Sequence, residues 1–439
     1  MAKAVWRLRK GMDRRFRSGH PWVYSNELME SPKGIEPGAA VQLQDAGGAF
    51  LALGYGNPKS LIAFRTLTRS PEDAKLDTPF TSEFLTGKLL DAHSLRHRLG
   101  LTQWSYRLCY GEGDFIPGLI IDRYRTRAGQ VFVVQAHTAG ADQMLGVLLP
   151  SLETFANETA KRDPEPVAWS HTAVIINNEL GVRALEGVES QPPKIARAGA
   201  VKESLSQIEI LIRPALGGTK PVEFTVDLVN GQKTGFFLDQ ASNVAIAAQR
   251  FSDGPKPGAG QTIRILDLCC YVGQWGTQLA RTFRERGYKV EVLAVDASQQ
   301  ALDFAKKNME REGAKVSTLK GDVLKDLAGL DARSFDLVVC DPPALIKGRK
   351  DIPQGRHAYL QLNTQVFRVV RLGGAVVSCS CSALLEEEDF YGALTKAAQR
   401  NDVQVQWIAR GAQASDHPML LEFPEGRYLK SLFGIVSKA

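Results

Sequence analysis

The sequence predicts an α/β protein whose C-terminal half forms a mostly parallel, doubly wound sheet, preceded by a β-rich module and a mixed α/β segment. Three observations carry this. From about residue 220 onward, strand-like apolar runs alternate with helical ones, a rhythm that demands crossover connections and a parallel sheet. Four of those strands end in or beside an aspartate, namely Asp267, Asp296, Asp322 and Asp341. Sheets of this kind bind ligands at their carboxyl ends, so these positions are candidate site residues. Before residue 72, by contrast, short apolar runs alternate with glycine-rich turns, the pattern of a small β module.

Taken in order, the first segment is expected to hold strands at 39–43, 49–55 and 61–67. A polar stretch over 69–77 leads to a helix at 84–99. Strands at 118–122, 130–136 and 173–177 then mix with helix up to about residue 212. The third segment reads strand 263–268, helix 276–286, strand 290–296, helix 299–312, and strands 316–320 and 335–340. Helix 362–371, strand 374–380 and helix 386–400 follow. Strands 403–408 and 428–436, joined by a long polar loop, close the sheet as an antiparallel edge. The expected domains are therefore 1–72, 73–212 and 213–439.

At 439 residues the chain is too long for one ordinary core, and 44% hydrophobic with 23% charged residues places it among folded globular proteins. No apolar run approaches the ~20 residues that span a bilayer. The basic N-terminus is followed by no apolar signal core, so the expected location is the cytoplasm. The net charge of +6 is unevenly spread: residues 1–70 carry eleven Lys or Arg against five acids, which accounts for all of it. A positive module beside a neutral remainder suits docking on a nucleic acid, with Arg14 and Arg15 in its densest part, although short basic N-termini are often merely solvated. None of the six cysteines forms a CxxC pair and no spaced histidine pair accompanies them, so no metal is expected and the thiols should be reduced.

The first strand of the third segment ends at Asp267 and Leu268 and runs into Cys269-Cys270-Tyr271-Val272-Gly273-Gln274-Trp275-Gly276. This is not the GxGxxG fingerprint of a dinucleotide site, since the glycines that cradle a pyrophosphate are too few. A cationic cofactor without phosphate, such as S-adenosylmethionine, fits an acidic residue at this turn better. Asp296 could then accept ribose hydroxyls and Asp322 an adenine amino group. Each aspartate alone reads as a helix cap or turn residue; four in register read as a site.

With those residues in view, Asp267 to Gly276, Asp296, Asp322, Asp341-Pro342-Pro343 and Ser380-Cys381-Ser382 resemble class I methyltransferase motifs. More specifically they resemble the bacterial ribosomal RNA large subunit methyltransferase I family, which makes 5-methylcytosine in 23S rRNA. Further matches are Gly231-Gln232-Lys233-Thr234-Gly235-Phe236-Phe237-Leu238-Asp239-Gln240, Asp416-His417-Pro418 and the run from Pro424 to Lys430. The segment from Gly19 to Tyr24 resembles the start of that family's RNA-binding PUA domain. Residues from Gly111 to Tyr124 resemble its central domain. The resemblance implies a Rossmann-like methyltransferase domain over 213–439, a PUA domain over 1–72 and a central α/β domain over 73–212. It implies S-adenosylmethionine as cofactor, with Gln240, Asp267, Tyr271, Gly273, Asp296, Asp322 and Asp341 as its candidate contacts. Ribosomal RNA is the implied partner, touched by Lys233, Phe237, Arg14 and Arg15; no membrane is implied, and a homodimer is left open. Gln232, Lys233 and the segment 236–240 are expected to act as a lid over cofactor or base. Departures are Cys269-Cys270 in the cofactor loop, and Ala344-Leu345 where the family typically has Lys-Phe.

Carbon 5 of cytosine is a poor nucleophile, and a thiolate added at carbon 6 turns the ring into an enamine that attacks a methyl donor. The resemblance assigns that thiol to Cys381 and places Asp341 against N3 or the exocyclic amine of the base. Cys379 and Cys340 read as core, and Lys347 and His357 as solvated loop residues, so the base that removes the C5 proton is not assigned. Two alternatives stay open. One is an N-directed guanine methyltransferase, which needs no cysteine. The other is a non-enzymatic RNA-binding or ribosome-assembly protein. The sparse glycines argue against a third, a nicotinamide-dependent oxidoreductase.

Overall fold

The computed structural model describes residues 3–201, 203–253 and 260–439. The chain divides into two compact units. One is made of Met1–Leu211, Asp227–Phe236 and Ser415–Gly426; the other of Ile212–Val226, Phe237–Ala414 and Arg427–Ala439.

The first unit contains two five-stranded sheets. β1 (Ala4–Arg7), β2 (Trp22–Tyr24), β3 (Ala40–Gln44), β4 (Phe50–Gly56) and β5 (Ile62–Thr68) pair in the order β1-β3-β4-β5-β2, with a single turn of helix, α1 (Arg14–Arg17), after β1. Burial alternates along β3, so Val41 and Leu43 point into a core with Trp6, Phe16, Val23 and Phe64. The second sheet is ordered β10-β9-β8-β7-β6, from β6 (Tyr106–Tyr110), β7 (Leu119–Arg125), β8 (Gln130–Ala136), β9 (Thr172–Ile176) and β10 (Lys194–Arg197). α2 (Ser82–Arg98) and α4 (Leu148–Thr159) cover one face through Leu85, Leu89, Leu152 and Phe155. The Thr81 hydroxyl caps α2 and the Thr138 hydroxyl caps α3 (Ala139–Met144), each accepting an orphan backbone N–H.

Buried arginines of this unit are matched to carboxylates. Arg96 is fully buried and pairs with Asp114; Arg123 pairs with Asp163 at 3.3 Å and Arg183 with Asp142 at 2.7 Å. Arg65 meets both Glu112 and Glu186 at 3.0 Å. The late segment Ser415–Gly426 joins the same network. Arg96 donates to the Asp416 carbonyl at 2.5 Å, the Arg107 N–H donates to the Asp416 carboxylate at 2.8 Å, and Phe423 stacks edge-on to Trp22 at 4.6 Å.

β11 (Ile208–Ile212) and β12 (Val222–Val226) lie where the chain passes between units, and α5 (Ala241–Ser252) opens the long run of the second. That unit is built on β13 (Thr262–Leu268), β14 (Lys289–Asp296), β15 (Lys315–Lys320), β16 (Phe335–Cys340), β17 (Val370–Ser380), β18 (Val403–Gly411) and β19 (Lys430–Lys438). Their order is β15-β14-β13-β16-β17-β19-β18. The first five are parallel, and β19 is antiparallel to both β17 and β18, as the sequence predicts. Side chains alternate along β13: Leu266 and Leu268 face α8 (Ile352–Val369) and α9 (Glu387–Gln399), whereas Ile265 faces α5, α6 (Gln274–Glu285) and α7 (Gln299–Arg311). The strand order reverses between β13 and β16, the switch point at which such sheets open a crevice.

The start of α8 differs from expectation. α8 begins ten residues before the predicted start at 362, so His357 lies on a helix and not in a loop. Pro353 sits at the helix start, where its missing N–H costs nothing. The buried face of this first turn is Gly355, pressed against Ile346, so no apolar residue advertises it.

Candidate functional site

The loop between β13 and α6 is shaped by backbone that side chains rarely tolerate. Cys269, Tyr271 and Gly273 have φ of 59°, 49° and 82°, three left-handed residues in five. At Cys269 and Tyr271 such strain costs on the order of 1–3 kcal/mol per residue, whereas Gly273 adopts it freely, and strain of this kind gathers at ligand sites. Gly276 is required for a different reason: a Cβ there would lie 2.3 Å from the Met309 methyl and 3.0 Å from the Asp267 carboxylate. The Asp267 carboxylate can therefore reach the Gly276 N–H, at 2.9 Å.

Asp267 is fully buried, and its Oδ1 accepts no hydrogen bond. Burial pushes its pKa up to about 7; the Gly276 N–H opposes this and the charges of Asp341 and Asp296 add to it. An orphaned carboxylate oxygen at the switch point is a site for a cation. The residues present thus fit the sulfonium and ammonium of S-adenosylmethionine, and nothing here resembles a phosphate cradle.

Asp296, half-buried, accepts the Tyr271 N–H and the Ser298 N–H, each at 2.9 Å, through different oxygens. The Tyr271 ring stacks edge-on against Phe237 at 5.1 Å. Asp322 accepts the Leu324 N–H at 3.0 Å and pairs with Lys325 at 3.1 Å; these hydrogen bonds hold its carboxyl below the usual range. Asp341, just past β16, is held by neutral donors. Gln240 Nε2 lies 2.9 Å from both of its oxygens and Trp275 Nε1 3.0 Å from one, while Asn243 donates to the Gln240 carbonyl oxygen at 2.6 Å. Trp275 and Asn243 were missed by sequence reasoning, although Trp275 stands in the quoted cofactor loop.

Cys381 follows β17, is half-buried, and points its Sγ at the Pro342 carbonyl, 3.7 Å away. The Asp-Pro-Pro and Ser-Cys-Ser segments are therefore brought together. The flanking serines explain why the turn holds: Ser380 donates to the Tyr359 hydroxyl at 2.9 Å, Tyr359 meets Ser382 at 3.0 Å, and the Ile346 N–H donates to Ser382 at 3.1 Å. Cys340 and Cys379 are buried, as expected for core thiols, and burial pushes both pKa values up; the same holds for Cys270, while Cys269 is half-buried with its pKa raised for the same reason. Buried thiols of this kind stay protonated and inert.

The remaining candidates fall elsewhere. Leu238, Asp239 and Gln240 form a buried turn, fastened by the Tyr428 hydroxyl to Asp239 at 2.5 Å, so this stretch is packed in place where a lid was expected. Lys233 belongs to the first unit and is not grouped with these residues; its side chain is exposed and its carbonyl accepts from Gln135 at 3.1 Å and Asn177 at 2.9 Å. Arg14 is exposed on α1. Arg15 is spent within its own domain, on Glu27 at 2.9 Å, the Trp22 carbonyl at 3.1 Å and the face of Tyr24. Among the described residues no cluster of His, Cys, Asp or Glu could hold a metal ion, and no helix is long and apolar enough to cross a membrane.

Comparison with known proteins agrees with this geometry. Residues 7–69 match a PUA-like domain and residues 265–355 a methyltransferase domain. A crystal structure of a methyltransferase complexed with SAH superposes over 99% of this chain and 100% of its own, with a TM-score of 0.71 at 15% identity. A SAM-dependent methyltransferase structure from Streptococcus mutans does so with a TM-score of 0.70 at 14% identity, over 98% and 100%. At such identities the likeness speaks for fold alone. Among curated proteins, ribosomal RNA large subunit methyltransferase I of Escherichia coli O139:H28 is 29% identical, covering 96% of this chain and 97% of its own. The enzyme of the same name from Photobacterium profundum is 30% identical over 434 residues, 96% of each. The chain therefore belongs to the ribosomal RNA large subunit methyltransferase I family.

Proposed function

We propose that this S-adenosylmethionine-dependent methyltransferase acts on C5 of a cytosine in 23S ribosomal RNA through a covalent adduct on Cys381. The observation that carries the reading is the approach of Cys381 to the loop that follows Asp341, with Cys270, Cys340 and Cys379 buried and their pKa values pushed up by burial. When bound, the cofactor supplies an electrophilic methyl group. Asp267 faces its cationic part, Asp296 its ribose and Asp322 its adenine, with Tyr271 and Gly273 shaping the loop. The Cys381 thiolate adds to C6 of the base and C5 takes the methyl. A general base then takes the C5 proton, and the C6–S bond breaks to release the thiolate and restore the aromatic ring. Asp341, oriented by Gln240 and Trp275, accepts from the exocyclic amine of the base and holds that edge in place while the adduct forms.

Residues 213–439 are the catalytic domain in this reading, 1–72 the RNA-docking domain and 73–212 the central domain. Arg14, Lys233 and Phe237 remain proposed RNA contacts, and Arg15 supports its domain. Extruding a base from its stack costs a few kcal/mol, which contacts of this kind offset. The test is transfer of labelled methyl to 23S rRNA by wild type and Cys381→Ala. Loss of at least ~1,000-fold in rate, with the wild-type label mapped to a cytosine C5, is the expected result. An active Cys381→Ala enzyme would overturn the thiol mechanism in favour of an N-directed reaction.

A further inference from the structure

The Cys381 turn is met by one strand whose contribution the thiol chemistry has not yet used. Lys430 opens β19 directly opposite Ser380, the last residue of β17. Its side chain is half-buried, and its ammonium donates to the Ser382 carbonyl at 3.1 Å and to the Tyr428 carbonyl at 3.2 Å. Among the described residues no carboxylate forms an ion pair with it. A cation is thus pinned to the backbone of the residue that immediately follows Cys381.

We propose that Lys430 is the positioning residue that holds Cys381 as a thiolate, its ammonium being fixed beside the sulfur by the Ser382 and Tyr428 carbonyls. The proposal rests on Cys381 being the nucleophile. A thiol at pH 7 needs a nearby cation to ionise, and the other groups around this turn work the opposite way. The Pro342 carbonyl, 3.7 Å from Sγ, accepts from a thiol and repels a thiolate. Asp341 is an anion one residue before that carbonyl. From α8, Tyr359 presents a hydroxyl already engaged with Ser380 and Ser382. Glu386 and Glu387, at the start of α9, bear on Lys430 itself. Lys430 is therefore the cation identified among the titratable groups of the elements packed here. The coupling is visible from its side too: burial lowers its pKa, and the charge of Cys381 is the largest influence raising it.

The two carbonyls give the charge its direction. Lysine is a flexible point charge, and anchoring two of its three protons on fixed acceptors removes most of that freedom before substrate arrives. After the thiolate has added to C6 the sulfur is neutral. The same ammonium then favours expulsion of sulfur as an anion once C5 has lost its proton.

The experiment is the pH dependence of iodoacetamide alkylation of Cys381 in the full chain, read at that peptide by mass spectrometry. Wild type, Lys430→Met and Lys430→Arg are compared, each checked for cooperative thermal unfolding. The midpoint should rise by about one pH unit in Lys430→Met, equivalent to about tenfold slower alkylation at pH 7, and return toward wild type in Lys430→Arg. Lys430→Gln, which can still donate to the Ser382 carbonyl, replaces the Met variant if that fails to fold and must move the midpoint the same way. Identical midpoints in wild type and the neutral variant overturn the proposal. Failure of the underlying reading shows separately: Cys381→Ala would then retain methyl transfer whatever the alkylation midpoint does.

Discussion

The two units bury charge in opposite styles. In the first, the buried Arg96, Arg123 and Arg183 each have a carboxylate partner, and Arg65 has two. In the second, Asp267 is buried just as deeply with one oxygen orphaned and, among the described residues, no ion pair, while Asp341 accepts from the Gln240 amide and the Trp275 indole. Taking a charge out of water costs several kcal/mol; ion pairs offset most of it for these arginines, although Arg65 Nε has no partner, and no ion pair among the described residues offsets it for Asp267. The contrast is what the cofactor role proposed for Asp267 predicts.

Breaking a pair in the first unit should give the largest change in stability. Asp114→Asn strands Arg96 in the core and should cost about 3–5 kcal/mol, read as the urea midpoint at constant slope. Asp267→Asn should do the reverse, leaving stability unchanged or raised while cofactor affinity falls at least about tenfold by calorimetry. The sign follows from its pKa, about 7 against an ordinary 3.8. Between those values the folded chain keeps a proton that the unfolded chain has released, so this site's contribution to stability declines as pH rises through 7. Asn removes the decline, and equal stability profiles for both proteins would contradict it. The same carboxyl must ionise to meet a cation. Cofactor affinity should therefore rise up to about tenfold per pH unit below 7 and level off above, with a proton released on binding. A flat profile in wild type would break the contrast between the units. Smallest of all, Asp322→Asn should leave stability within ~0.5 kcal/mol, since that side chain is largely solvated, and weaken the cofactor only a few-fold.

How much of this was legible depended on the kind of force that places each residue. The strands of the second unit were legible because apolar periodicity marks them; Gln130–Ala136 in the first was read to the residue for the same reason. Asp267, Asp296, Asp322 and Asp341 were legible as a set because a parallel sheet puts strand ends in one crevice. The first turn of α8 was not, because its contact is the absence of a side chain at Gly355. Lys430 and Trp275 escaped for another reason. Their value lies in pairing across strands and loops, with Ser382 48 residues and Asp341 66 residues away, which no local pattern encodes. The long polar loop before the last strand read as a connector. It is in fact fastened by single polar bonds, Arg96 and Arg107 to Asp416, that carry no periodicity.

That fastening sets an order of events during synthesis. Residues 1–211 emerge from the ribosome long before Ser415–Gly426, and although Arg96 finds Asp114 within them, its bond to the Asp416 carbonyl, the Arg107 N–H bond to Asp416 and the packing of Phe423 on Trp22 all await this late segment. The early segment must therefore wait, with part of its polar core unmet, until about nine-tenths of the chain exists. Completion of the first unit is thereby tied to completion of the catalytic sheet, since β19 follows the late segment at once. A chain cut short before residue 415 would lack both the late segment and β19.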